Sequence, residues 1–355
     1  SIKVINKAII LLAVPMIIEM FGEGLFAVVD AYFVSMLSNE AFATVVLTET
    51  LSTIIYSLAI GISIAASAMV SRRIGEKNHK AASEAAAQTI LVAFVISILI
   101  TLIGIFFSEN LLRMMGASDD VITVGVPYTQ ILLGSNIVIM LLFILNGVFR
   151  GAGDATMAMR SLWIANLLNM ILDPILIFGL GPIPAMGIMG AAIATTFGRG
   201  VGVLFQLYIL FNGDRIVQLA KSQFKANWAL IKKILNVGST GAGQYIISSA
   251  SWIFLMRLVS DFGTDAVNGY GLAIRIIIFT ILPAWGIANA GATLMGQNLG
   301  AKQPDRAATS VWRAAYLNAA ADLIVDDLTA MKTAWTTGAG SYREAFLGNG
   351  TNAIP

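Results

Sequence analysis

Three acids stand inside the first long apolar run of the chain: Glu19, Glu23 and Asp30, spaced i, i+4 and i+11, which puts them on one face of a helix. A second set lies in NLLNMILDP, where Asn166, Asn169 and Asp173 fall at i, i+3 and i+7 and Pro174 removes a backbone donor and loosens the helix. Glu49 adds another acid, and Ala191 and Thr195 in GAAIAT sit one turn apart. Carboxylates, an amide, a hydroxyl and carbonyls freed beside a proline suit a hard cation, or a proton shared between carboxylates that repel each other. Acids inside apolar spans are costly, so ion or substrate handling is their default reading.

Plainer roles stay open on spacing alone. Asp30 could be a structural helix-to-helix hydrogen bond, Asp173 the mark of a helix end, and Asn166 packing glue between helices. Glu19 and Glu23 could face a water-filled substrate cavity, and Glu49, Asn166 and Gln244 are candidates for the same lining. Arg199 and Arg275 are expected to snorkel or to pair with a carboxylate.

The elements that must carry these groups follow from composition. The 355 residues are 57% hydrophobic and 12% charged, against roughly 25% charged in a soluble chain, so the bilayer is the expected solvent. Twenty-two Lys+Arg against 20 Asp+Glu leave a net charge of +2, too balanced for a nucleic-acid partner. The absence of cysteine excludes a disulfide scaffold and any thiolate metal site, and the single His79 leaves little for a zinc cluster or a Ser-His-Asp set. No G-x-x-x-x-G-K-[ST] motif occurs, so an ion gradient is the expected energy source and an enzyme is not expected.

Apolar runs near 8–36, 42–71, 88–108, 120–149, 155–180, 187–212, 230–260 and 266–298 are each long enough for a span of about 20 residues, which predicts an all-α polytopic membrane protein. The first run continues without a cleavage site, so no cleavable signal peptide is expected. Lys3 and Lys7, Arg72 to Lys80, Arg150 and Arg160, Arg215 to Lys233, and Lys302 to Arg313 fall in alternate loops, which predicts a cytoplasmic amino terminus.

Shifted by 225 positions, residues 31–89 align with 256–314 without a gap. Gly61 meets Gly286, Gly75 and Lys77 meet Gly300 and Lys302, and the same offset sets Gln244 against Glu19. Repeats in the same orientation are a transporter signature, with the substrate pathway between the halves. The third span does not recur: 315–332 contains Asp322, Asp326, Asp327 and Lys332, each costing about 2.5–3.5 kcal/mol at a bilayer centre. The reading is therefore an amino lobe over 1–213, a cytoplasmic linker over 214–229, a partial carboxy lobe over 230–318, and an amphipathic tail over 319–355 with an apolar stripe at Ile324, Leu328, Met331 and Trp335.

LAVPMI, VVDAYFV, GVFRGAGDA, LNMILDPILIFGLG, GAAIAT and GQNLGAK together resemble the multidrug and toxic compound extrusion (MATE) family over about residues 5–318. The resemblance implies a twelve-helix antiporter of two six-helix lobes that rocks between inward-open and outward-open states and exports organic cations and other drugs in exchange for Na+ or H+, with no other cofactor. It also implies a cation site on Asp30, Asn169 and Asp173, with the Ala191 carbonyl and the Thr195 hydroxyl. The last four helices of that pattern are absent from this sequence, so a truncated or chimeric form is expected, and the tail faintly resembles a stretch of imelysin-like proteins. The alternatives are a lipid-linked oligosaccharide flippase of the same superfamily, for which the acidic face is the wrong charge, and a non-transporting membrane fragment or anchor. The expected partners are small-molecule drugs and the lipid bilayer, and the expected state is a monomer.

Overall fold

A computed structural model describes residues 2–319 of the chain. The stripe expected at Ile324 to Trp335, and the rest of the tail from 320, lie outside the described residues.

Apolar runs bounded by capping residues become long helices: α1 Ile2–Ser35, α2 Asn39–Gly75, α3 His79–Met114, α4 Asp119–Gly134, α5 Asn136–Gly151, α6 Ala155–Phe178, α7 Ile188–Asn212, α8 Trp228–Ser260 and α9 Thr264–Gly300, with residues 304–319 helical again. Ser38, Asn78, Ser118 and Asn227 accept the amide three residues on, at the starts of α2, α3, α4 and α8, satisfying donors a helix leaves open.

The run at 120–149 is not one straight span. It breaks at Ser135 into α4 and α5, bent by 43°. A break in a bilayer frees carbonyls that water cannot reach, and each is met from inside the protein. Ser135 Oγ donates to the Ile131 carbonyl at 2.6 Å, Asn136 Nδ2 to Leu133 at 2.7 Å, and Thr101 Oγ1 to Gly134 at 2.9 Å. The span count also changes. Five described helices are long and apolar enough to cross a membrane, or six with the bent pair taken as one. α8, 33 residues long, carries too many polar and small residues between Asn236 and Ser251 to meet that standard, and α9 includes side chains outside the described set.

The repeat is visible as reciprocal contacts. A Cβ on Gly61 of α2 would strike the Ala242 backbone nitrogen of α8, and one on Gly286 of α9 would strike that of Ile17 on α1, the position 225 before Ala242. At the other end of the same helices, Gly75 abuts the Gln297 carbonyl and the Ala301 nitrogen while Gly300 abuts those of Arg72 and Glu76. When one glycine touches a residue, its counterpart 225 positions on touches that residue's counterpart, as across a twofold axis. The turns that follow also match: Lys77 and Lys302 both take φ 58°. Lys77 N–H donates to the Ile74 carbonyl at 2.9 Å and Lys302 N–H to that of Leu299 at 3.0 Å, closing the two helices in the same way.

Residues 214–229 are strapped to α3. Gln88 Nε2 donates to the carbonyls of Gln223 and Lys225 at 2.7 and 2.8 Å, and its Oε1 accepts the Asn227 amide at 2.9 Å. The largest apolar core runs through α2, α3, α5, α6 and α7.

Candidate cation and substrate site

α6 and α7 come together because glycine lines one side of their contact. A Cβ on Gly198 would lie 2.6 Å from the Ala165 carbonyl and 3.2 Å from the Asn169 Cβ, and one on Gly190 would lie 2.5 Å from the Leu176 carbonyl. This approach brings Thr195 to Asn169. Asn169 Nδ2 donates to Asp173 Oδ1 at 3.2 Å and to Thr195 Oγ1 at 3.1 Å. The Asp30 carboxylate, buried on α1, acts electrostatically on Asp173, and Ala191 lies fully buried one turn before Thr195. Asn169, Asp173 and Thr195 are thus linked directly at the contact of α6 and α7, Asp30 acts on them from α1, and Ala191 is buried on the same helix as Thr195. Two oxygens there, Asp173 Oδ2 and Asn169 Oδ1, are buried with no hydrogen-bond partner among the described residues. Buried acceptors left dry cost about 1–3 kcal/mol each, and a small cation or a proton on the carboxylate would offset that cost.

The other acids of α1 are not free in a cavity. Glu19 is completely buried, and its Oε1 accepts from Arg150 Nη1 at 3.0 Å and from Asn146 Nδ2 at 3.1 Å. A charge in so dry a place needs a counter-ion, and Arg150 supplies it. Arg150 was expected among the loop cations. It lies in the last turn of α5 pointing inward, 8% exposed. Beyond it, Asn146 Oδ1 accepts from Gln206 Nε2 at 2.5 Å and from Ser161 Oγ at 3.4 Å. Sequence reasoning missed Asn146, Ser161 and Gln206; their one signal was the rarity of Asn and Gln in apolar helices.

Glu23 pairs with Arg199 through Nη2 at 2.7 Å and accepts from Asn166 Nδ2 at 3.3 Å, so Arg199 takes the pairing alternative and Asn166 bridges to an acid. Glu49 and Tyr56 of α2 belong to the same electrostatic neighbourhood. Gln244 stands apart: it is exposed on α8, and no described hydrogen bond of its side chain joins it to the acids.

The MatE family model matches residues 15–175 and 242–328, the second stretch running ten residues past Asn318, where departure from the pattern was expected. The chain is 28% identical to the FAD transporter of Shewanella oneidensis over 85% of its own length and 67% of the relative's. It is 27% identical to the probable multidrug resistance protein NorM of Thermotoga maritima, over 82% and 63% of the two chains. It therefore spans about two thirds of these relatives. Among solved structures, a transporter of the MOP superfamily from Pyrococcus furiosus, described as having a binding pocket of reversed polarity, matches with a TM-score of 0.84 at 29% identity, over 94% of this chain and 74% of that one. An outward-facing multidrug resistance MATE transporter matches with a TM-score of 0.81 at 30% identity, over 90% and 71%.

Proposed function

The chain belongs to the multidrug and toxic compound extrusion (MatE) family, and on that premise we propose that it acts in cation-coupled efflux, exchanging Na+ or H+ for drugs and organic cations across a plasma membrane with its amino terminus inside. The reading rests on one observation above others: Asp173 Oδ2 and Asn169 Oδ1 are buried, close together in sequence and fold, and meet no donor among the described residues. In this scheme Asp30 and Asp173 supply charge, Asn169 and Thr195 supply neutral oxygens, and the Ala191 carbonyl completes the set. A coupling ion is then held when the acids are ionised and the lobe is closed, and driven by a gradient worth about 2.3 kcal/mol per charge per 100 mV. Names of the relatives, a FAD transporter and multidrug resistance proteins, support an organic solute as cargo. A flippase would call for a cavity with surplus positive charge, whereas Arg150 and Arg199 are each matched by an acid.

The test is ethidium extrusion from proteoliposomes under an imposed Na+ or H+ gradient, using the chain and a form extended to the relatives' length. Extrusion that follows one gradient and is abolished in Asp30→Asn and in Asp173→Asn is the expected result. Gradient-driven extrusion that survives both substitutions would remove these acids from the mechanism.

A further inference from the structure

Arg199 is 3% exposed, yet much of its hydrogen-bonding capacity is unused. Nη2 donates to Glu23 Oε1, the guanidinium carbon lies 5.1 Å from the centre of the Phe26 ring, and the Tyr56 hydroxyl interacts with the group. A guanidinium offers five N–H donors in a fork that fits a carboxylate or phosphate through two parallel bonds. Glu23 engages it through one oxygen, and Nε and Nη1 have no hydrogen-bond partner among the described residues. Glu23 is the more accessible member, its side chain 22% exposed against 4% for Arg199, and Glu49 adds a second acid nearby. A deep, under-bonded cation thus stands behind a shallower acid, with another acid alongside.

We propose that Arg199 receives an anionic group of the transported solute, Glu23 holding that place when no solute is bound, and that the solutes are amphoteric: their carboxylate or phosphate takes the fork while their ammonium meets Glu23 and Glu49. This inference rests on the transporter reading above. It differs from a purely structural pair in that the fork is built for two carboxylate bonds and Glu23 offers one, with the Tyr56 hydroxyl beside it and Nε and Nη1 left over. A bidentate, charge-assisted contact in a dry site is among the stronger polar interactions available, so the anionic group should dominate selectivity.

The test measures Kd in nanodiscs for three probes: ethidium, a fixed cation; norfloxacin, which carries a carboxylate and a piperazinium near neutral pH; and norfloxacin methyl ester, which keeps only the cation. Norfloxacin is expected to bind about tenfold or more tighter than its ester, a step typical of one good charged contact. Arg199→Lys, which keeps the charge and loses the fork, should bring that ratio close to one, and Glu23→Gln, which frees the fork, should widen it. Equal binding of norfloxacin and its ester in the unaltered chain, a ratio that Arg199→Lys does not move, or a Glu23→Gln variant that weakens all three probes alike, would each overturn the inference while leaving the transporter reading in place. Failure of all three probes to bind the unaltered chain would overturn both.

Discussion

Arg150 and Glu19 face each other across 3.0 Å with side chains 10% and 0% exposed, so a cation in the last turn of α5 serves as counter-ion to an acid deep in the first helix. Breaking such a pair leaves one charge stranded, which typically costs 3–5 kcal/mol, whereas replacing both partners by apolar groups is often close to neutral.

Arg150→Met and Glu19→Met are therefore each expected to lower stability by about 3–5 kcal/mol, and the double substitution to recover most of that loss. Thermal unfolding in detergent, run as a double-mutant cycle, measures the coupling. Additive losses would mean that the two residues do not act as a pair.

If Asp173 and Asn169 hold Na+, adding Na+ against a constant background of choline should raise the unfolding midpoint, by the equivalent of about 2.7 kcal/mol at a hundred times Kd. Asp173→Asn should erase that response. A midpoint indifferent to Na+ in the unaltered chain would assign coupling to the proton.

Gly198→Ala places a Cβ 2.6 Å from the Ala165 carbonyl, too close for α7 to keep its distance from α6. The expected cost is about 1–3 kcal/mol, as for other overpacked contacts. Thr195 should move away from Asn169, with loss of any cation response. Gly200→Ala, where a Cβ meets nothing within 4 Å, is the control on the same helix. Equal effects of the two would show that helix propensity and not packing is at issue.

Lys77 and Lys302 hold left-handed backbone that costs a non-glycine residue roughly 1–2 kcal/mol. Lys77→Gly and Lys302→Gly should each stabilise the chain by about 0.5 kcal/mol once the greater freedom of unfolded glycine is subtracted. Because the turns share their hydrogen bonds, the two gains should agree. Calorimetry on single and double variants decides this, and a loss at either site would show that the lysine makes a contact worth more than the strain.

Much of this arrangement was legible in residue order. Apolar runs located the helices, and the i, i+4, i+11 spacing did place Glu19, Glu23 and Asp30 against neighbouring helices of the first half. The 225-residue offset, resting on sparse identities such as Gly61 with Gly286, corresponds to reciprocal contacts that those glycines permit. What escaped were features that depend on direction. Arg150 reads as a loop cation because it sits one residue from a glycine-rich turn, and only the roll of α5 about its axis turns it inward. The break at Ser135 carries only a Gly134-Ser135 pair as its local signal; Asn136 and Thr101, which meet the freed carbonyls, look in sequence like ordinary polar residues. Gln244, placed by register opposite an acid, is exposed on α8, which packs on α2 through Gly238 and Ala242 instead.

The glycine seam at Gly75 and Gly300 has a mechanical consequence. Each helix end rests on the backbone of the other, carbonyl and amide alike, without a long side chain between them to stretch or lean. Rigid surfaces in such mutual registry cannot part on one side while staying seated on the other. Parting them would uncover main chain from both helices at once, so this end of the molecule is expected to yield less readily than the surroundings of the acids deeper in the fold.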